Sequence, residues 1–157
     1  LFGEAFVIPD AIIQKDVATI PGLDGRKMSK SYGNVVPLMA PEKQFRKAIM
    51  KITTDSKTVE EPKDPDTCNV FALYKCFSTE KDQKELAARY RLGGMGYGEA
   101  KQLCFDALNA ELRDSRENYQ NIRKDLPQLD GILESGRDKA REIARQVTER
   151  VRATVGL

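Results

Sequence analysis

The sequence predicts a mainly α fold, a helical bundle that begins near Pro41 and runs to the end of the chain, and three observations predict it. Apolar residues recur at three- and four-residue spacing in successive segments. Capping residues, prolines and glycines fall between those segments, where short helix–helix connections need them. No internal repeat or low-complexity tract interrupts the pattern.

Residues 1–21 stand apart from the bundle. They hold two short β-prone stretches, 5–8 and 17–20, with a helical or irregular piece between them and Pro9 and Pro21 as bounds. Such a pair cannot bury both of its faces alone. A glycine-rich loop follows over 22–36. Pro41 then opens a helix to about Lys51, because its fixed φ suits the first turn, with Phe45, Ile49 and Ile52 on one side. Residues 53–66 are polar, and Pro62 and Pro65 forbid a continued helix. Asp66 or Thr67 is expected to cap the next helix, whose apolar face holds Val70, Phe71, Leu73, Tyr74 and Phe77. Ser78 or Thr79 caps another, which carries Leu86, Ala87, Tyr90 and Arg91 to a stop at Gly93 and Gly94. A long amphipathic helix comes next, with Ala100, Leu103, Cys104, Ala107, Leu108 and Leu112 at helical spacing and Tyr119 and Ile122 prolonging it. Pro127 and Gly131 are expected to punctuate a short turn containing Leu126, Leu129, Ile132 and Leu133. The last helix is expected from about Arg137 to near Gly156, with Ala140, Ile143, Ala144, Val147 and Val151 on one face.

With 157 residues, 40% of them apolar and 32% charged, the chain suits one ordinary domain, or one domain and part of another. No apolar run approaches the roughly 20 residues of a membrane span, and neither a signal peptide nor a transmembrane helix is expected. The three cysteines are odd in number and widely spaced, which fits neither a disulfide framework nor a zinc-binding pair, so a reducing, cytoplasmic setting is expected. Histidine is absent, which removes imidazole acid–base chemistry, Ser-His-Asp triads and histidine metal ligands. A net charge of +2 is too balanced to announce a nucleic-acid binder, so that role has to come from local patches. The chain opens on Leu1, and its first residues read like the middle of a larger fold; a fragment is expected.

The most informative segment is Lys27-Met28-Ser29-Lys30-Ser31, between Gly22, Asp24 and Gly25 on one side and Tyr32, Gly33 and Asn34 on the other. A given pentapeptide occurs by chance in a chain this long with odds on the order of 10⁻⁴. Two lysines and two hydroxyls on a mobile loop suit a polyphosphate; a solvated basic turn is the plainer alternative. The P-loop requires a different spacing of glycines and lysine. The glycines of 93–98 follow a helix instead of a strand, so they read as an inter-helix turn and not as a dinucleotide fingerprint.

The pentapeptide is the KMSKS signature, and from it onward the chain resembles the class I aminoacyl-tRNA synthetase family. The flanks 20–26 and 31–34 resemble the bacterial tryptophanyl branch of that family, as do 53–56 with 59–65, 70–74, the turn 93–101, and the C-terminal stretches 136–141 and 151–157. The resemblance covers essentially the whole chain. It implies that residues 1–40 are the end of a Rossmann-like catalytic domain, contributing its last strand and signature loop, and that 41–157 form an α-helical tRNA anticodon-binding domain. The implied activity is that of a tryptophan–tRNA ligase, which activates tryptophan with ATP and transfers it to tRNA(Trp). Lys27 and Lys30 would stabilise charge building on the phosphates, Met28, Ser29 and Ser31 would line the ATP site, and Ile20 matches the position that lies against adenine; an ordinary buried strand residue is its other reading. Mg²⁺ would arrive with ATP, since Asp24, Asp55, Asp64 and Asp66 are scattered in turns where capping explains them. A homodimer is expected of the intact protein. The family's other signature, a His-x-Gly-His element, is absent, so the chain alone is expected to be inactive, with the amino acid pocket outside it. Tyrosyl-type specificity, a non-catalytic tRNA-binding module and a purely structural helical domain are the rivals.

In the last helix Arg137, Arg141, Arg145 and Arg152 fall in one narrow sector. They form either a solvated face paired with Glu134, Asp138, Glu142 and Glu149, or a row that meets tRNA phosphates with help from Arg113, Arg116, Arg123 and Lys124. Tyr119 is either core or a stacking platform for an unpaired anticodon base.

Overall fold

The computed structural model describes residues 6–14 and 17–157. Its helices are α1 (Glu42–Met50), α2 (Asn69–Lys75), α3 (Glu80–Leu92), α4 (Tyr97–Lys124) and α5 (Leu126–Val155). Two compact units are present, Gln14–Tyr119 and the combination of Leu1–Ile13 with Gln120–Leu157. No helix among the described residues is long and apolar enough to cross a membrane.

The core of the larger unit follows from the periodicity of its helices. Phe45 and Ile49 of α1, Val70, Phe71, Leu73 and Tyr74 of α2, Leu86, Ala87 and Tyr90 of α3, and Ala100, Cys104, Phe105 and Leu108 of α4 are buried together. Each large apolar side chain removed from water in this way contributes about 1.5–3 kcal/mol. The Tyr90 ring meets Phe71 and Tyr97 edge-on, with centroids 5.6 and 6.4 Å away. Its hydroxyl lies 3.5 Å from the Cys68 thiol, so the buried polar tip has a partner. Burial pushes the Cys104 thiol up to about 12, which makes it an inert packing residue. Cys68, Cys76 and Cys104 are all free.

The connection 53–66 has no helix, as its prolines require, and a buried lysine organises it. The Lys63 ammonium donates to the carbonyls of Thr58 (2.5 Å) and Glu61 (3.0 Å) and lies 5.4 Å from the Tyr97 ring centroid. Gly93 closes against the same connection: its φ is +80°, and a Cβ there would stand 2.4 Å from the Glu60 carbonyl oxygen. Thr79 caps α3 by accepting from the Asp82 N–H.

Three expectations are corrected. The stretches 6–8 and 17–20 form no strand among the described residues; the nearest β feature is a single antiparallel bridge between Pro21 and Lys27, and Ala5 lies outside the described residues. Phe6, Val7 and Ile8 are exposed, and a strand exists only through a ladder to a partner. Neither Asp66 nor Thr67 caps α2. Asp64 instead accepts from the Asp66 N–H (2.9 Å) and the Thr67 hydroxyl (3.1 Å), and Cys68 takes the cap position without a side-chain bond to the helix N-terminus. The third correction is larger. No turn separates 126–133 from the last helix, because α5 begins at Leu126 directly after Asp125, whose carboxylate accepts from the Gln128 N–H at 3.0 Å. Pro127 lies in the first turn, where the missing N–H has no intrahelical partner to lose.

Candidate nucleotide-binding loop

The chain doubles back at Pro21 and Lys27, where the Met28 N–H donates to the Ile20 carbonyl (2.9 Å) and the Gly22 N–H to the Arg26 carbonyl (2.7 Å). Gly22 is demanded by a close approach, since a Cβ there would lie 2.4 Å from Cγ of Asn34. Asp24 turns the tip by accepting from the Arg26 N–H (3.1 Å) and its Nε (2.7 Å), and the Arg26 guanidinium lies 4.7 Å from the Tyr32 ring centroid.

One buried side chain ties both legs of this loop. Asn34 accepts from the Ser29 N–H on Oδ1 (2.8 Å) and donates from Nδ2 to Asp24 Oδ1 (2.7 Å) and to the Lys27 carbonyl (3.2 Å). Its own carbonyl accepts from the Leu23 N–H at 2.8 Å. The Asn34 hydrogen bond, joined by Arg26, holds the Asp24 carboxyl below its ordinary range. The sequence sets Asn34 beside the signature without assigning it this role; asparagine side chains bond readily to nearby backbone in turns, but which groups this one meets is set by the fold.

Residues 27–31 take a fixed shape on that frame. Ser29 is extended, Lys30–Tyr32 make one 3₁₀ turn, and Gly33 closes it at φ 65° with its N–H on the Lys30 carbonyl. The Ser29 and Ser31 hydroxyls are 2.8 Å apart. Ile20 and Met28 are half-buried against the core and anchor the ends, while the Leu23 carbonyl accepts from the Thr53 N–H at 2.8 Å. Lys27 and Lys30 are exposed, and neither is in an ion pair among the described residues. Two ammonium groups and two hydroxyls therefore lie on one small loop with their charge uncompensated, which is the chemistry that receives phosphate oxygens. The described residues hold no group of three or more Cys, Asp or Glu able to bind a metal.

The second set of expected site residues is divided between the units. Tyr119 lies at the edge of the larger one and is 37% exposed, beyond the last core residues of α4. Arg137, Arg141, Arg145 and Arg152 share α5, and none of that helix is buried. Arg137 pairs with Asp138 at 2.9 Å; Arg141, Arg145 and Arg152 are in no ion pair among the described residues, and Glu142 bonds Gln146 instead. Arg116 is corrected: it is buried, donates to the Leu38 carbonyl (3.1 Å) and Asn109 Oδ1 (2.7 Å), and stacks 4.7 Å from the Phe45 ring centroid. It cannot also meet solvent-borne phosphates.

Residues 2–113 match the family model for class I tRNA synthetases (W and Y). A tryptophan–tRNA ligase of Pseudomonas aeruginosa is 46% identical over 163 residues, covering 100% of this chain and 36% of that protein. The corresponding ligase of Campylobacter jejuni is 40% identical over 156 residues, covering 99% and 49%. The crystal structure of tryptophanyl-tRNA synthetase from Campylobacter jejuni, complexed with ADP and tryptophan, aligns with a TM-score of 0.82 at 40% identity, covering 99% of this chain and 49% of that one. The chain spans about a third to a half of the length of these relatives.

Proposed function

The chain belongs to the class I tRNA synthetases of the W and Y group, and from that premise we propose that it is the C-terminal part of a tryptophan–tRNA ligase. The intact protein activates tryptophan with ATP, Mg²⁺ arriving with the nucleotide, and transfers it to tRNA(Trp); it works in the cytoplasm as a homodimer. Residues 1–40 supply one half of the ATP site and 41–157 the tRNA-binding half, although the two share a core that includes Val36 as well as residues of α1 to α4, with Met28 packed against it.

The observation that carries this reading is the loop at 27–31, framed by the hydrogen bonds of Asn34, with Lys27 and Lys30 in no ion pair among the described residues. When the tryptophan carboxylate attacks the α-phosphate, negative charge builds on the pyrophosphate that leaves. Lys27 and Lys30 stabilise that charge more in the transition state than in the ground state, and so act on rate. Ser29 and Ser31 hydroxyls donate to phosphate oxygens, and Ile20 and Met28 give the adenine an apolar wall. Arg141, Arg145 and Arg152, with Arg137 beside them, position tRNA through its phosphates, and Tyr119 stacks on an anticodon base. The test is ATP–pyrophosphate exchange by the protein that carries this chain. Exchange that depends on tryptophan and not on tyrosine is expected; exchange with neither, or with tyrosine alone, would overturn the assignment.

A further inference from the structure

α1 presents a second basic row that none of the above uses. Lys43 and Lys47 of α1 and Lys51, the αR residue that caps its C-terminal end, are four residues apart, so they climb in steps of about 6 Å and turn only about 40° per step. That rise is close to the separation of consecutive phosphates along a nucleic-acid strand. All three are exposed, and none is in an ion pair among the described residues. The remaining basic residue of the helix is turned elsewhere: Arg46 donates to Gln102 at 2.6 Å and lies 6.0 Å from the Phe105 ring centroid. Glu42 is the helix's one acidic residue, in its first turn. The row therefore keeps its full charge.

The element that carries it is fixed. Phe45 and Ile49 on the far side are buried, and the Lys101 ammonium donates to the Met50 carbonyl at the C-terminal end. The three lysines border an open cleft of about 670 Å³ whose apolar lining includes Leu23, Pro37 and Pro41. Leu23 donates its N–H to the carbonyl of Asn34, whose side chain holds the Ser29 N–H, so the cleft shares a residue with the frame of the signature loop. A small polyphosphate would want convergent buried donors, which this cleft lacks; a strand with regularly repeated charge and apolar sugar faces matches both the row and the lining.

We propose that the Lys43, Lys47 and Lys51 face of α1, with the cleft beside it, binds the sugar–phosphate backbone of an RNA strand as that strand approaches the signature loop. The inference rests on the reading that the intact protein acts on tRNA. It adds a contact surface separate from α5, on the unit that holds the loop.

The test compares the chain with its K43Q/K47Q/K51Q variant and with a charge-matched control, K81Q/K84Q/K139Q, in binding to labelled tRNA between 50 and 200 mM salt. Glutamine is close to lysine in helix propensity, and unchanged far-ultraviolet circular dichroism checks the fold. The first variant should flatten the slope of log K against log salt by roughly 2, at about 0.7–0.9 per lost phosphate contact, and the control by much less. Equal flattening by both variants, an unchanged slope in the first, or no RNA binding by the parent chain would overturn the proposal. An acidic protein captured in place of RNA would do so as well. Tryptophan-dependent pyrophosphate exchange needs no tRNA, so it separates the two readings. If exchange persists while the slope does not move, the lysine face is wrong and the ligase assignment stands; if exchange is absent while the slope flattens, the reverse holds.

Discussion

Asn34 decides the shape of the signature loop through one amide. Replacing it with Ala would leave the Ser29 N–H, the Lys27 carbonyl and the Asp24 carboxylate without that partner in a half-buried place, a cost of about 1–3 kcal/mol felt mainly in the loop. The same amide makes the loop sensitive to acid. Asp24 titrates below its ordinary range in the folded chain, so its contribution is present in full above that range and is lost as pH falls through the lowered value. Amide protection at 22–34, taken relative to the intrinsic exchange rate at each pH, should therefore fall below about pH 4, near the ordinary aspartate value, with the protection of the α2 and α3 amides unaffected. Arg116 is the other residue whose role only the fold reveals. R116Q should lower stability by about 1–3 kcal/mol, through the bonds to Leu38 and Asn109, and leave the salt dependence of RNA binding unchanged. A shallower slope on that substitution would return Arg116 to the RNA surface.

Among the elements, α1 and α3 were legible because periodicity and terminal signals agree there. Pro41 precedes an apolar pair at 45 and 49, and Thr79 caps a helix that stops at Gly93. The signals conflict in 125–136. Proline and glycine argue for a turn, and the chain resolves the conflict by putting Pro127 in the first turn and carrying Gly131 and Gly136 inside α5, at roughly 1 kcal/mol each relative to alanine. Both glycines face open space, so G131A and G136A should each stabilise α5 by about that amount in thermal denaturation. A loss of stability would mean that the turn expected from the sequence exists in solution. The strand expectation over 5–8 and 17–20 failed for another reason, since β propensity reports how well a residue fits a sheet and not whether a sheet is there. On α5, neutralising Arg137, Arg141, Arg145 and Arg152 together should flatten the salt slope of tRNA binding by roughly 3. An unchanged slope would make that row a solvated face.

At the scale of the whole molecule, the mainly α architecture and the position of the loop could be read in advance, because helical periodicity and a five-residue signature are local. The framework of the loop could not. Asn34 reaching Asp24, Thr53 bonding Leu23 and Arg116 holding Leu38 join residues whose proximity is set by packing, and no spacing in the sequence announces them. The core likewise includes Val36, with Met28 packed against it, so the loop is mounted on the helices of the larger unit. What this mounting secures is the placement of two unpaired ammonium groups, and that is the centre of the functional reading. The most direct test is K30A in the protein that carries this chain, followed by pyrophosphate exchange. The rate of adenylate formation should fall by roughly 10²–10³ with little change in tryptophan affinity, the penalty for losing one preorganised charge stabiliser. An unaltered rate would remove Lys30 from the chemistry and leave the loop as an exposed basic turn.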